Sequence, residues 1–260
     1  MPVDITQKYR KLKRKLKSLG RVALAFSGGT DSTLLLKACA EALEPGDILA
    51  LTARAAIFPA WETREAEDLA ALYGLRHLVA DFDALAVPAV AANPPDRCYH
   101  CKYNLFQKLI FLAGEEGFTT LIDGANLDDQ NDYRPGSRAA AELGVVSPLR
   151  AAGLTKADVR ELSRKKDLPT WDKPAFACLA SRFPYGQAIT REKLAMVEQA
   201  EQYLIDLGFR EIRVRHHGEV ARLEVGRGER RRFFDDDFID EVHRHLKAMG
   251  FAFVALDLAG

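Results

Sequence analysis

The sequence predicts an α/β domain built on a parallel sheet, followed by a smaller α+β domain. From residue 22 to residue 166, short apolar runs alternate with helical stretches, the pattern of parallel strands joined by right-handed crossovers. After residue 187 the predicted order becomes α-β-β-α-β, so the regular alternation stops. We therefore predict two domains, residues 1–186 and residues 187–260.

Composition and charge exclude several classes of protein. Hydrophobic residues occupy 48% of the 260 positions, which is typical of a globular protein. The 37 basic residues equal the 37 acidic ones, so we do not expect a nucleic-acid-binding protein. No apolar run approaches the ~18–20 residues that a membrane helix needs. The stretch after Asp4 lacks the apolar core of a signal peptide, and we expect a cytoplasmic protein without membrane contact.

The first predicted helix has one apolar face, formed by Ile5, Tyr9, Leu12, Leu16 and Leu19. We interpret its basic face as solvated. Contact with a nucleic acid is the alternative, but no aromatic residues are interleaved for base stacking. The basic face consists of Lys8, Arg10, Lys11, Lys13, Arg14, Lys15 and Lys17.

The remaining elements follow the apolar runs and end near glycines or prolines. Strands are predicted at residues 22–26, 48–55, 77–82 and 119–123, and helices at residues 33–43, 60–73, 102–113 and 155–166. The proline-containing residues 84–97 and 169–187 are predicted to be irregular. The second domain is predicted as helix 191–207, strands 211–217 and 220–225, helix 229–249 and strand 251–256.

A glycine-rich turn joins the first predicted strand to the next helix. Its glycines allow the backbone to approach a phosphate, and the helix N-terminus attracts anionic oxygens. Asp31 suits such a site if it holds a divalent cation, so we predict Mg²⁺ there. The lysine of the motif G-x-x-x-x-G-K-[ST] is absent. The residues predicted to bind the nucleotide are Ser27, Gly28, Gly29, Thr30, Asp31 and Ser32.

A second polar group follows the predicted strand 119–123. Asp123, Asn126, Asp128 and Asp129 come at its carboxyl end, where parallel sheets bind ligands. We predict that Asp123 and Asn126 contact the nucleotide. Paired carboxylates suit Mg²⁺–pyrophosphate or proton transfer, so we predict catalytic roles for Asp128 and Asp129. The alternative is that these residues only form a turn.

Three of the four cysteines are candidates for metal or sulfur chemistry. Cys98 and Cys101 form a C-x-x-C pair just before a predicted helix, and Cys178 stands alone in an irregular segment. A Cys98–Cys101 disulfide is disfavoured in a reducing cytosol, whereas spacing alone does not separate a zinc site completed by His100 from a [4Fe–4S] cluster with one open iron. Cys39 lies among apolar residues of a predicted helix, and we expect it in the core.

The second domain offers two pairs of charged residues. Arg213 and Arg215 alternate along a strand and therefore share a face, which suits a nucleotide phosphate. A solvated strand face is nearly as good an interpretation. Glu198 and Glu201 share a helix face and are able to bind metal or to position a base, but we expect them to be solvated.

The turn reads S-G-G-x-D-S and resembles the phosphate loop of the PP-loop ATP pyrophosphatase superfamily. This resemblance implies a Rossmann-like fold of the adenine nucleotide alpha hydrolase type. It also implies that ATP is cleaved between its α- and β-phosphates to adenylate a carboxyl or carbonyl oxygen. Longer segments resemble the LarE family of ATP-dependent sulfur transferases. They are residues 123–129, 132–136, 168–182, 184–186 and 189–190.

The family resemblance implies a substrate and a source of sulfur. LarE proteins thiolate pyridinium-3,5-biscarboxylic acid mononucleotide, a step toward the nickel-pincer nucleotide cofactor of lactate racemase. In one form, the cysteine at the position of Cys178 donates its sulfur and becomes dehydroalanine. In another, three cysteines hold a [4Fe–4S] cluster that delivers sulfide, and Cys98, Cys101 and Cys178 resemble that form.

We accordingly predict a catalytic group and a substrate-binding group. The catalytic residues are Cys178, Asp31, Asp128 and Asp129, and the substrate-binding residues are Ser181, Arg182, Glu201, Arg213 and Arg215. We expect a homo-oligomer that works with a sulfide source or a sulfur-donor protein. The alternatives are a tRNA thiolase of the same superfamily and a non-enzymatic iron–sulfur or nucleotide sensor.

Overall fold

The computed structural model describes residues 4–130, 135–174 and 177–259 of the chain. Asp132, Tyr133 and Arg134 of one family-like segment lie outside these residues, as do Ala175 and Phe176 of another. No helix among the described residues is both long and apolar enough to span a bilayer.

The described residues form ten α-helices and seven strands. The helices are α1 Ile5–Leu19, α2 Thr30–Ala42, α3 Ala60–Leu72, α4 Pro88–Ala91, α5 Arg97–Glu115, α6 Pro135–Glu142, α7 Pro148–Ala151, α8 Lys156–Lys165, α9 Arg191–Asp206 and α10 Asp236–Ala248. The strands are β1 Val22–Ala25, β2 Ile48–Arg54, β3 Arg76–Asp81, β4 Leu121–Ile122, β5 Ile212–His217, β6 Val220–Val225 and β7 Phe253–Leu256.

The chain divides into two compact units. The first comprises Met1–Ala55, Ala60–Val87 and Asp96–Ala175, and the second comprises Ala56–Pro59, Pro88–Pro95 and Phe176–Gly260. The domain boundary at residue 187 stays a prediction. The sequence prediction places a single cut at residue 187. Each compact unit, in contrast, is made of three segments that are separate in sequence.

The first unit contains a parallel sheet in the order β3-β2-β1-β4. Alternate residues of β1 face two different apolar clusters. Leu24 packs in a cluster with residues of α1, α2 and α8, while Ala23 packs in a cluster with residues of α5. Helices therefore cover the sheet on both faces, which explains why its strands are continuously apolar. The predicted α/β fold class is confirmed.

The structure differs from the predicted elements at several points. Residues 84–97 are not a simple loop, because they contain α4 and the first residue of α5. Helix α5 begins at Arg97, five residues before the predicted start, so Cys98 and Cys101 lie inside its first turns. Helices α6 and α7 were not predicted. The start of the predicted helix 229–249 is a 3-10 turn, Arg230–Phe234, which Asp235 separates from α10.

The second unit contains a sheet in the order β5-β6-β7, antiparallel between β5 and β6 and parallel between β6 and β7. From residue 191 onward, the order of its helices and strands is α-β-β-α-β, which agrees with the elements predicted from the sequence. In β5, Ile212, Val214 and His216 are buried, and the residues between them are more exposed. Arg213 and Arg215 therefore share a face, as the alternation predicted.

Candidate functional site

The glycine-rich turn connects β1 to the N-terminus of α2, as the sequence predicted. Gly28 adopts φ +65°, and a Cβ placed there would lie 3.3 Å from Ala66 Cα. A side chain at this position would therefore be strained and crowded. Gly29 is the N-cap of α2 and supplies no side chain to cap the helix. Backbone N–H groups at the start of α2 are consequently available to bind an anion.

Hydroxyl groups surround this turn. Ser27 Oγ and Ser32 Oγ lie 3.2 Å apart, and Ser32 Oγ also donates to the Gly29 carbonyl oxygen at 3.1 Å. Thr30 is buried, and its hydroxyl donates to the Thr170 carbonyl oxygen at 2.9 Å. Thr30 thus holds the turn in place, while the two serine hydroxyls face each other across it.

The loop after β4 packs closely against the first turn of α2. A Cβ placed on Gly124 would lie 3.1 Å from Ser32 N, so a side chain there would crowd the first turn of α2. Asn126 is buried, and its Nδ2 donates to Asp31 Oδ1 at 3.1 Å. The structure therefore brings the two predicted polar groups, which are far apart in sequence, into direct contact.

Hydrogen bonds fix the other acids of this loop. Asp123 is buried and accepts from Ser147 Oγ at 2.7 Å. Asn126 Oδ1 accepts from the Asp128 N–H at 2.9 Å, and Asp129 Oδ2 accepts from the Asn126 N–H at 2.9 Å. These hydrogen bonds show that the side chains stabilise the turn, as the alternative interpretation requires. The catalytic and nucleotide-binding roles themselves stay predictions.

Sequence reasoning missed three lysines near these groups. Lys156 Nζ forms an ion pair with Asp31 Oδ2, and the Lys156 N–H donates to Asp128 Oδ2 at 2.8 Å. Lys102 Nζ lies 3.6 Å from Asp123 Oδ2, and Lys173 Nζ donates to the Gly28 carbonyl oxygen at 3.3 Å. These cations compensate the acidic cluster and suit a site for a polyanionic nucleotide. Lys156 is the first residue of α8. The sequence indicated a helix start there but gave no sign of the contact with Asp31.

The cysteines lie in different local environments. Cys39 is fully buried, as predicted, and desolvation raises the pKa of its thiol to about 12. Cys98 is exposed and Cys101 is half-buried, and both lie in α5 rather than before it. Cys178 is half-buried and precedes a 3-10 turn, Leu179–Arg182. The four cysteines, all of them described, form no disulfide.

Three thiols are a suitable donor set for an iron–sulfur cluster, whose irons bind cysteine sulfur. Within the described ranges, however, no group of three His, Cys, Asp or Glu side chains is arranged to hold a metal ion. The sequence suggested His100 as the fourth ligand of a zinc site, and its Nε2 lies 3.2 Å from Asp96 Oδ2. Assembly of a cluster on Cys98, Cys101 and Cys178 therefore stays a prediction.

Glu201 corrects one expectation, because it is buried rather than solvated. Its carboxylate accepts from Arg182 Nε at 2.8 Å and from Arg182 Nη2 at 2.9 Å, and it also accepts from the Val214 N–H at 2.8 Å. The buried residues Val197 and Leu204 lie four and three positions from Glu201, so helical spacing already placed it on the apolar face of α9. The sequence did not show its partners, which come from the 3-10 turn and from β5. Arg182 is buried as well, at 1% exposure.

The other predicted substrate-binding residues are more accessible. Arg213 is exposed. Arg215 is half-buried and donates to both carboxylate oxygens of Glu224 at 2.9 and 2.7 Å. Burial opposes ionisation of Glu224, but the hydrogen bonds and charge of Arg215 outweigh it and lower the pKa of Glu224 below its usual value. Substrate binding by this group stays a prediction.

Comparison with known proteins identifies the family. No family model matches the chain. It is 39% identical to the pyridinium-3,5-bisthiocarboxylic acid mononucleotide synthase of Lactiplantibacillus plantarum over 245 residues, 94% of this chain and 88% of that protein. It is also 39% identical to an uncharacterised protein of Synechocystis sp., over 98% of this chain and 95% of that protein.

A more distant relative matches a shorter region. The argininosuccinate synthase of Natronomonas pharaonis is 30% identical over 57% of this chain and 40% of its own length. That enzyme also belongs to the PP-loop superfamily, which agrees with the parallel sheet and the glycine-rich turn. From the near full-length match to the Lactiplantibacillus synthase, together with the strand, turn and helix of the phosphate loop, the chain belongs to the LarE family and is an ATP-dependent sulfur transferase.

Proposed function

We propose that the chain converts the carboxylates of pyridinium-3,5-biscarboxylic acid mononucleotide to thiocarboxylates, for the nickel-pincer nucleotide cofactor of lactate racemase. The observation that carries the proposal is the 39% identity to a synthase named for the bisthiocarboxylic product. The phosphate loop and its lysines support the use of ATP in this reaction. We further propose a cytoplasmic homo-oligomer with a small-molecule substrate.

The first half-reaction activates the substrate. A carboxylate oxygen attacks the α-phosphorus of ATP, the bond to the β-phosphate oxygen breaks, and an acyl-adenylate and pyrophosphate result. In this proposal the N–H groups at the start of α2 and the Lys156 ammonium bind phosphate oxygens. Asp31 and Asp128 would hold Mg²⁺, and the ion would supply positive charge for the leaving pyrophosphate.

The second half-reaction transfers sulfur. A sulfur nucleophile attacks the acyl carbon, and AMP leaves with the electron pair of the broken C–O bond. If Cys178 is the donor, its thiolate forms a thioester. Loss of the Cys178 Cα proton and cleavage of its Cβ–S bond then release the thiocarboxylate and leave dehydroalanine. If Cys98, Cys101 and Cys178 hold an iron–sulfur cluster, that group would supply sulfide in place of the Cys178 sulfur.

The adenylation chemistry is tested by the products formed from ATP. Protein purified without oxygen is incubated with ATP, Mg²⁺ and the biscarboxylic mononucleotide. We expect AMP and pyrophosphate to form together with the thiocarboxylate. ADP and phosphate as the main products would contradict adenylation.

The sulfur source is tested on the same sample by iron and sulfide content and by intact mass. A sacrificial Cys178 predicts a loss of about 34 Da after one turnover, because hydrogen sulfide is in effect removed. A cluster predicts bound iron and, when sulfide is added to the incubation, an unchanged chain mass over several turnovers. Cys178→Ser should block transfer by either route, whereas Cys98→Ser should block it only in the cluster route.

A further inference from the structure

The segment that carries Cys178 is fixed by its own backbone. The Ser181 N–H donates to the Cys178 carbonyl oxygen at 2.9 Å and so closes the 3-10 turn. The Leu179 N–H donates to the Ile57 carbonyl oxygen at 2.8 Å. Both bonds lie within the second unit. Leu179, the residue after Cys178, is therefore hydrogen-bonded to Ile57, which is far away in sequence.

Arg182 adds a side-chain anchor to this segment. Its Nη1 donates to the Ala177 carbonyl oxygen at 2.9 Å and to Ser181 Oγ at 2.9 Å, and it lies 3.5 Å from the Cys178 carbonyl oxygen. One guanidinium nitrogen therefore contacts backbone or side-chain oxygens of three residues, two of them Cys178 and its predecessor. A planar guanidinium imposes directions on these bonds that a lysine ammonium does not.

Glu201 holds the opposite side of the same guanidinium. It accepts two parallel hydrogen bonds from Arg182 and a third from the Val214 N–H, so it joins the Cys178 segment to β5 and to its own helix α9. The side chains of Arg182 and Glu201 are 1% and 6% exposed. Groups so deeply buried and so fully engaged with each other are poorly suited to bind a substrate that enters and leaves.

A second connection reaches the far end of the turn. Arg215 Nη1 donates to the Ser181 carbonyl oxygen at 2.8 Å, and Glu224 holds the other nitrogens of Arg215. The turn is thereby attached to β5 twice, through Glu201 to the backbone of Val214 and through the side chain of Arg215.

We propose that Arg182 and Glu201 are positioning residues that hold the backbone of Cys178 during sulfur transfer, rather than ligands of the substrate. The inference rests on the proposed role of Cys178 in sulfur transfer. A reacting sulfur must meet a short-lived acyl-adenylate in a narrow range of geometry, and small displacements of a reacting group reduce rates strongly. The buried pair restricts the backbone from which the Cys178 side chain extends.

The first test separates positioning from substrate binding. Arg182→Lys and Glu201→Gln are compared with Glu192→Gln, an exposed position on the same helix α9. We expect thiocarboxylate formed per AMP to fall by about tenfold or more in the first two variants, with the KM for the biscarboxylic mononucleotide within about twofold of wild type. A raised KM with an unchanged ratio would identify the pair as substrate ligands and overturn the proposal.

The second test needs no substrate. Hydrogen exchange of the Leu179 and Ser181 amides reports how firmly the segment is held. We expect exchange to be at least about tenfold faster in Arg182→Lys and Glu201→Gln, and unchanged in Glu192→Gln. Unchanged exchange in all three variants would overturn the proposal. Wild-type protein that does not thiolate the mononucleotide would contradict the proposed substrate. If exchange still responds as expected, the anchoring by Arg182 and Glu201 is supported independently.

Discussion

The phosphate loop and the Cys178 segment each contain an ion pair, and the two pairs differ in their access to water. Asp31 and Lys156 have side chains that are 22% and 34% exposed. Arg182 and Glu201 are 1% and 6% exposed. Surface pairs of the first kind exchange partners at little cost, whereas a buried charge that loses its partner is strongly destabilising. We therefore expect the Asp31–Lys156 pair to open when a ligand binds and the Arg182–Glu201 pair to stay formed.

This difference fits the work proposed for each region. ATP must bind and pyrophosphate must leave in every cycle, so the groups around Asp31 have to release one another when a ligand enters. The sulfur donor, in contrast, needs a fixed frame. The contacts around Asp31 are therefore suited to exchange with a ligand, and the contacts around Cys178 are suited to stay fixed.

The largest expected effect concerns stability. Arg182→Met should lower the free energy of unfolding by about 3–5 kcal/mol, because Glu201 would keep a buried charge without its partner. The double variant Arg182→Met with Glu201→Gln removes that charge, and it should recover part of the loss. Lys156→Met should change stability by no more than about 1 kcal/mol, because its pair is accessible to water. Denaturant unfolding measures all three. Equal losses for Lys156→Met and Arg182→Met would remove the contrast between the two regions.

A smaller but still large effect is expected on adenylation. Asp31→Asn keeps the shape of the side chain but removes the charge proposed to hold Mg²⁺, so pyrophosphate release should slow by about 100-fold. Asp47→Asn, in the 3-10 turn Pro45–Asp47, is the matched control, because Asp47 is partly exposed and pairs with Arg21, and it should release pyrophosphate at the wild-type rate. Asp31→Asn protein that releases pyrophosphate at the wild-type rate would argue against this role of Asp31.

The smallest effect is expected on nucleotide affinity. Lys156→Met removes a cation beside Asp31, so the KM for ATP should rise by about tenfold, with a smaller change in kcat. Lys165→Met, at the exposed end of the same helix, should leave the KM for ATP unchanged. A KM that rises equally in both variants would indicate a general effect of helix charge instead of a contact at the phosphates.

Much of the phosphate-loop region was predictable, because its signal is local. The run Val22–Phe26, the glycines and the apolar residues of α2 are contiguous, so strand, turn and helix followed from a short stretch. The sequence also placed Asp123 and Asn126 at a strand end. It did not reveal Lys156, because a lysine at a helix start has the same appearance whether it is solvated or paired with a residue 125 positions away.

The Cys178 region was less predictable, because its interactions are tertiary. The spacing of Glu201 from Val197 and Leu204 indicates the apolar face of α9. The partners of its carboxylate, however, are Arg182 and the backbone of β5, which are remote in sequence. The start of α5 was missed for a local reason. Pro94 and Pro95 favour a loop, and Asp96, at the N-cap position of α5, makes no capping hydrogen bond through its side chain, so the helix start at Arg97 has a weak local signal.

The discontinuous make-up of the second unit has a consequence for its synthesis on the ribosome. Asn93 donates from its Nδ2 to the Pro184 carbonyl oxygen at 2.8 Å, and the Ile189 N–H donates to the Ala91 carbonyl oxygen at 2.8 Å. Residues 88–95 therefore emerge from the ribosome about ninety positions before the partners that satisfy their hydrogen bonds. Folding of this unit must wait until the chain is nearly complete, and during that interval residues 88–95 remain exposed to chaperones and proteases.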